Sequence, residues 1–161
     1  MSGDDVDVIV DAWARERPEL DVAPLHVLSR ITRLAQHLDT ARAIAFTRHN
    51  LDQWEFDMLA ALRRSGSPYA LSPGQLAAQT MVTSGTITNR VDRLEARGLV
   101  RREPDPDDRR GVRVLLTEDG QFHVDGAITD LLDSEREILG GISSEESKQL
   151  AQLLRQLMQR F

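Results

Sequence analysis

The feature that most constrains the fold is the order of patterns in residues 72–116. SPGQLAAQT starts with a good helix N-cap, Ser72, and a first-turn proline, Pro73, and predicts a short helix. The turn MVTSG then leads into TSGTITNRVDRLEARGLV, which predicts a longer helix that ends at Gly98. Residues 99–103 and the alternating VRVLL predict two strands, and PDPDDRRG between them is a turn sequence. The order predicts a helix-turn-helix followed by a β-hairpin wing.

Helical patterns flank this segment on both sides. Residues 6–17, residues 21–48 and the stretch LDQWEFDMLAALRRSG precede it. Thr117 caps a further helix that reaches about Leu139, and a capping box at SSEE starts the last one. The helix over 21–48 is long for a chain of 161 residues, and its apolar stripe needs a partner, for which a second subunit is a natural candidate. The predicted class is mainly α with a small β-hairpin wing, an α+β chain.

Charge is distributed unevenly along the chain, whose net charge is −6. Residues 83–113 contain eight arginines and six acidic residues and are net basic, whereas the segments before and after them are net acidic. An acidic protein with one basic segment is typical of a chain that contacts a polyanion through a small surface.

Several classes of protein are disfavoured by what the sequence lacks. The chain has no cysteine, which excludes disulfides, thiolate catalysis and cysteine-based zinc sites. No stretch approaches the roughly 20 apolar residues of a membrane span, and the acidic start MSGDDVDVIVD favours a cytoplasmic protein. The four histidines lack metal-ligand spacing, and no catalytic motif is present. We therefore expect no enzyme, no metal, no cofactor and no membrane contact.

The helix that ends at Gly98 has two different sides at about 100° per residue. Ile87, Val91 and Leu94 form an apolar stripe, which predicts the buried side. Small hydrogen-bonding residues at the start of such a helix allow close approach to the major groove, and an arginine can contact bases or phosphates. The residues predicted to face DNA are Thr83, Ser84, Thr86, Asn89 and Arg93. The alternative is a solvated charged face on a core helix.

The tip of the predicted hairpin carries Arg109 and Arg110 beside Asp107 and Asp108. Arginines on a wing tip can enter a narrow minor groove, and an aspartate can orient a neighbouring arginine. We predict that Arg109 and Arg110 contact the minor groove. The alternative is a solvated turn whose charges cancel.

The run SGTITNRVDRLEARGLVRREPDPDDRRGVRVLLTEDG resembles the core signature of the MarR family of bacterial transcription regulators, in its L-x-x-x-G-L-V-x-R and D-P-x-D-R-R…V-x-L-T-x-x-G motifs. The resemblance implies an obligate winged-helix homodimer that binds a palindromic operator, usually as a repressor. It implies a DNA-binding lobe over residues 49–116 and a helical dimerisation region formed by residues 1–48 and 117–161. A small-molecule effector would bind between the dimer interface and the lobes.

A narrower resemblance is to the urate-responsive PecS/HucR-type subgroup. It rests on the stretch WEFDMLAALRRSGSPYALSPGQLA and on an extra N-terminal helix that bears Trp13. It implies urate as the effector and places the ligand residues at Trp13, Asp57, Arg90 and Arg102. The set suits a planar anion, because guanidinium groups pair with it, an indole stacks on it and a carboxylate accepts its N–H groups. Each residue also has a structural alternative: packing for Trp13, an ion pair for Asp57 and a phosphate contact for Arg102.

The three arginines of the helix that ends at Gly98 receive different predicted roles. Arg90 lies closest to the apolar stripe and is predicted to turn inward to a ligand. Arg93 is assigned to DNA, and Arg97 to phosphate or solvent. Alternative effectors are a tricarboxylate, such as citrate or trans-aconitate, and another aromatic anion. A winged helix that contacts only proteins is the alternative function.

Overall fold

The computed structural model describes residues 3–161; Met1 and Ser2, which belong to the predicted region 1–48, lie outside the described residues. The described part contains seven helices and three strands, and it confirms the predicted mainly α class with a small β wing. In chain order these are α1 (Asp5–Glu16), α2 (Ala23–Arg48), α3 (Gln53–Arg64), β1 (Ala70–Leu71), α4 (Pro73–Thr80), α5 (Ser84–Ala96), β2 (Val100–Pro104), β3 (Val112–Leu116), α6 (Glu118–Leu139) and α7 (Ser144–Met158).

Side-chain caps fix where the helices begin. The Ser72 hydroxyl accepts the N–H of Gln75 at 3.2 Å, and Thr117 accepts the N–H of Gly120 at 3.0 Å. Ser143 and Glu146 form the predicted capping box at the start of α7. Each cap satisfies a first-turn N–H that has no partner within the helix, so the predicted starts are confirmed.

The sheet has three strands in the order β1-β3-β2, all antiparallel. The structure confirms the predicted hairpin, and its register places Val100 opposite Leu116 and Pro104 opposite Val112. Ala70–Leu71 was not predicted as a strand, because SGSPYAL between the two helices has the composition of a loop, but it pairs with the outer edge of β3. The pairing covers a strand edge that the hairpin alone leaves open.

One apolar core holds α3, α4, α5, α6 and the sheet together. The stripe predicted for α5 forms part of it, with Ile87, Val91 and Leu94 at most 1% exposed. Gly98, at φ +72°, follows the last turn of α5 and ends it as predicted. Gly120 allows α6 to start against β2, because a Cβ there would lie 2.1 Å from the carbonyl oxygen of Leu99.

The chain divides into two compact units, one up to Ala41 and one from Arg42 onward. In the first unit Val6 and Val10 on α1 are buried, and ion pairs join the start of α1 to α2. Arg30 binds Asp4 at 2.9 Å and Asp7 at 2.8 Å. The second unit contains the winged helix-turn-helix.

The apolar stripe predicted on α2 is exposed in the single chain, and so is a second stripe on α7. On α2, Leu28 is 56% exposed and Ile31 36% exposed. On α7 no residue is buried, and the stripe of Leu150, Leu153 and Leu157 faces outward. Amphipathic helices with exposed apolar faces are typical of surfaces that another chain covers.

Candidate nucleic-acid interface and effector site

The start of α5 is held by its own hydroxyl groups. Thr83 is the N-cap, and its oxygen lies 3.4 Å from the N–H of Thr86 and 3.0 Å from the Thr86 hydroxyl. Met81, which ends α4, has a left-handed backbone with φ +52° and sets the turn between the two helices. This geometry turns the first residues of α5 away from the core.

The predicted DNA-facing residues lie on the outer side of α5 or at its start. Thr83, Ser84, Asn89 and Arg93 are exposed, and Thr86 is half-buried beside the cap. The opposite side of the helix is the buried stripe described above. The exposed side therefore offers hydroxyl, amide and guanidinium groups to a partner, which is the chemistry that base edges and phosphates require.

The wing tip is shaped by its aspartates. The Asp105 carboxylate accepts the N–H of Asp107 at 2.9 Å, and the Asp108 carboxylate accepts the N–H of Arg110 at 3.0 Å. These acids stabilise the turn backbone, whereas the sequence pattern predicted that a neighbouring aspartate orients arginine side chains. Arg109 and Arg110 are both exposed on this turn.

Trp54, at the start of α3, is an aromatic contact that was not predicted from the sequence. The guanidinium carbon of Arg93 lies 4.7 Å from the centre of the Trp54 ring, and that of Arg90 lies 5.3 Å from it. Trp54 precedes Asp57 by three residues and so shares a helix face with it, a spacing that could have revealed the contact. One indole thus holds both the arginine assigned to a ligand and the arginine assigned to DNA by cation–π attraction.

The Asp57 carboxyl group lies close enough to three arginines for their positive charges to act on it. Burial raises the pKa of the Asp57 carboxyl, and the positive charges of Arg42, Arg90 and Arg64 oppose that rise in pKa. The residue nevertheless keeps an exposed surface in the single chain. Asp57 and Arg90 are therefore coupled electrostatically, and both remain partly open to solvent.

Arg102 lies on β2 and is held by two carboxylates of α5. Its Nη2 lies 2.5 Å from Asp92, and its Nη1 donates to Glu95. The Glu95 carboxylate also accepts the backbone N–H of Arg102 at 3.0 Å. Burial lowers the pKa of Arg102, but the hydrogen bonds with Asp92 and Glu95 raise it overall. Asp92 and Glu95 were not identified from the sequence, although their spacing of three puts them on one helix face.

Arg97, predicted to contact phosphate or solvent, is partly exposed and also pairs with α3. Its Nη1 lies 2.6 Å from the Glu55 carboxylate, and its Nη2 donates to the Asn50 carbonyl at 2.6 Å. Glu55 is only 3% exposed and also accepts the N–H of Asp52. A buried carboxylate needs a cation and hydrogen bonds, so Arg97 is used to join the end of α5 to the start of α3.

Trp13 belongs to the first unit, where it is 48% exposed on α1 and lines a shallow apolar depression with Ile9 and Ala12. Asp57, Arg90 and Arg102 belong to the second unit. The role of Trp13 in a ligand site stays a prediction.

Within the described chain, no helix has the length and hydropathy needed to cross a membrane. The same residues include no group of three or more His, Asp or Glu side chains placed to hold a metal ion.

Comparison with known proteins gives a consistent result. Residues 49–111 match the MarR family. The chain is 41% identical over 150 residues, 93% of its length and 90% of the relative, to the HTH-type transcriptional regulator PecS of Dickeya dadantii (strain 3937). It is 32% identical to the HTH-type transcriptional repressor NicR of Pseudomonas putida, over 86% of this chain and 89% of that protein.

Solved structures agree. A MarR family protein from Bacillus stearothermophilus superposes with a TM-score of 0.73 at 26% identity. The superposition covers 88% of this chain and 97% of that protein's chain. BpsR of Bordetella bronchiseptica, whose DNA binding is regulated by 6-hydroxynicotinic acid, superposes with a TM-score of 0.66 at 28% identity over 82% and 92% of the two chains. These relatives are regulators, which agrees with the expectation that the chain is not an enzyme.

Proposed function

Because the chain belongs to the MarR family of transcriptional regulators, we propose that it is a homodimeric repressor that binds a palindromic operator and is released by a small planar anion. Urate is the first candidate for that anion. The observation that carries the proposal is the two-sided α5, with its apolar stripe buried and with Arg90 and Arg93 placed over the Trp54 ring.

DNA contact is assigned to α5 and the wing. The exposed hydroxyls and amide of Thr83, Ser84 and Asn89 suit base edges, and Arg93 suits bases or phosphates. Trp54 supports the Arg93 guanidinium and limits its motion, which lowers the entropy cost of binding DNA. The exposed pair on the wing tip supplies the minor-groove contact.

The homodimer is supported by α7. This helix has no buried residue, and its stripe includes Leu153, 59% exposed, and Leu157, 41% exposed. A stripe of this kind in water costs free energy in proportion to its apolar area. A second copy is the natural cover, because a two-fold dimer presents two recognition helices to two half-sites of a palindrome.

The effector is assigned to Asp57 on α3 and Arg90 on α5, and also to Arg102 on β2, whose guanidinium pairs with Asp92 and Glu95. Arg90 is half-buried, lies over Trp54 and is coupled electrostatically to Asp57. Two guanidinium groups suit a monoanion rich in oxygen acceptors, and a carboxylate accepts ring N–H groups. The full set of ligand residues that the resemblance implies is Trp13, Asp57, Arg90 and Arg102.

A second candidate effector is another aromatic anion of the hydroxynicotinate type, since such a compound regulates the structural relative BpsR. A tricarboxylate such as citrate is disfavoured by Asp57, whose charge repels a second carboxylate.

The test begins with a palindromic duplex selected from a random library for binding to the purified protein. The labelled complex is titrated with urate, xanthine, 6-hydroxynicotinate and citrate at matched ionic strength, and fluorescence anisotropy reports release. We expect urate to release the duplex at a lower concentration than the others. Release by urate no better than by chloride would overturn the urate assignment, and binding that ignores salt would overturn the DNA assignment.

A further inference from the structure

The Arg102 guanidinium is already occupied in the free protein. Asp92 lies 2.5 Å from Nη2, and Glu95 accepts from Nη1 as well as from the backbone N–H of Arg102. Both carboxylates project from α5, and the guanidinium projects from β2. Arg102 therefore joins the recognition helix to the first strand of the wing.

An anion that binds Arg102 competes with these two carboxylates. Arg102 donates to Glu95 and Asp92 through Nη1 and Nη2, which are also the donors that a bidentate anion would use. A ligand can therefore bind both donors only if at least one carboxylate leaves. Negative charge on the ligand also repels the carboxylates that stay. The pairs are partly exposed, with Asp92 60% and Glu95 39% exposed, so the cost of displacing them is modest.

We propose that Asp92 and Glu95 are built-in competitors of the anionic effector for Arg102, and that their displacement releases α5 from the wing strand. This inference rests on the effector site proposed above. It adds the regulation of that site: the effector lowers DNA affinity by breaking a tether that the free protein makes between its two DNA-contacting elements.

The proposal has an unusual signature, because the same substitution changes effector affinity and effector response in opposite directions. Asp92→Asn and Glu95→Gln keep the shape of each side chain, and the glutamine oxygen still accepts the Arg102 backbone N–H. Without the competing charge, urate binds more tightly. Because the tether is already weakened, urate then has less left to break, and the operator affinity changes less when urate is added.

Urate binding to the DNA-free protein is measured by equilibrium dialysis, and operator affinity is measured with and without saturating urate. We expect each variant to bind urate about two- to fivefold more tightly, and the double variant more tightly still. The ratio of operator affinities without and with urate is expected to fall below the wild-type ratio. Thermal unfolding verifies that each variant folds.

Glu103→Gln is the matched control. It removes one negative charge next to Arg102 in sequence, but Glu103 pairs with Arg101 at 2.8 Å and Arg113 at 3.3 Å. Its urate affinity is expected to equal that of the wild type at moderate salt, where long-range charge effects are screened. In an Arg102→Ala background, Asp92→Asn is expected to change urate affinity no further.

The outcomes separate the two proposals. If the wild type binds urate and releases DNA but Asp92→Asn and Glu95→Gln behave like Glu103→Gln, the competition is refuted and the effector site survives. Tighter urate binding with an undiminished response refutes the tether. If the wild type binds neither urate nor 6-hydroxynicotinate, the effector site and the competition fall together.

Discussion

Replacing Arg97 by alanine tests whether this arginine serves stability rather than DNA. The substitution removes the 2.6 Å contact with the Glu55 carboxylate, which is 3% exposed, and leaves Glu55 with the N–H of Asp52 at 2.9 Å. Breaking a fully buried ion pair costs about 3–5 kcal/mol. Because the Arg97 side chain is 37% exposed, water reaches the vacated space. We expect a loss of about 2 kcal/mol in the free energy of unfolding, closer to that of one charge-assisted hydrogen bond.

The measurement is thermal unfolding followed by circular dichroism at one protein concentration, since the proposed dimerisation would make the midpoint depend on concentration. For a chain of this size, about 2 kcal/mol lowers Tm by about 4–8 °C. Arg93→Ala is the matched control, because it removes the same side chain from the same helix. Arg93 is exposed and contacts Trp54, a contact worth about 0.5–1 kcal/mol. The Tm of Arg93→Ala should fall by at most about half as much as that of Arg97→Ala, whereas its operator affinity should fall more.

A double-mutant cycle identifies the partner. Glu55→Gln removes the buried charge and keeps an oxygen for the N–H of Asp52, so Arg97→Ala should cost about 1 kcal/mol or less in that background. An equal cost of Arg97→Ala in both backgrounds would refute the argument that Glu55 is what Arg97 stabilises. If Arg97→Ala leaves Tm unchanged, Arg97 does not stabilise the fold, and the phosphate contact predicted from the sequence becomes the favoured role.

Other perturbations test the remaining assignments. Arg90→Ala should keep most operator binding and lose the response to urate; the reverse pattern in the anisotropy titration would put Arg90 on the DNA side. Replacing Arg109 and Arg110 by alanine should weaken DNA binding and flatten the plot of log affinity against log salt by about 0.9 for each phosphate that the wing no longer neutralises. Asp57→Asn should raise Tm at neutral pH, because the folded-state pKa of Asp57 lies above its unfolded value and deprotonation therefore costs stability. That gain should shrink as pH falls through the raised pKa and vanish near or below about 3.8, the ordinary value. Leu153→Glu should lower the dimer fraction in sedimentation velocity and, with it, the affinity for the palindrome.

Local chemistry explains which parts of the fold were predictable. Ser72, Thr117 and Ser143 start helices through contacts within three residues, and the stripe of α5 follows from helix geometry. The strand at Ala70–Leu71 was missed because two residues carry no periodicity and their partner β3 lies more than 40 residues later. The partner of Arg97 was missed for the same reason, since Glu55 lies 42 residues earlier. Periodicity tells which face of a helix is buried, but not which side chain of a distant element meets it.

The arginines of α5 illustrate this limit. At about 100° per residue, Arg90, Arg93 and Arg97 all lie within about 60° of one another, so a helical wheel alone cannot give them separate roles. Their partners on α3 separate them: Trp54 contacts the first two, and Glu55 binds the third. Since Arg97 is fixed to a buried carboxylate, the C-terminal end of α5 has less freedom to move than its start. Arg90 lies one turn before Arg93, which is in the last turn of α5, so an effector that draws on Arg90 acts between the DNA-facing hydroxyls at the start of the helix and the end that Arg97 holds.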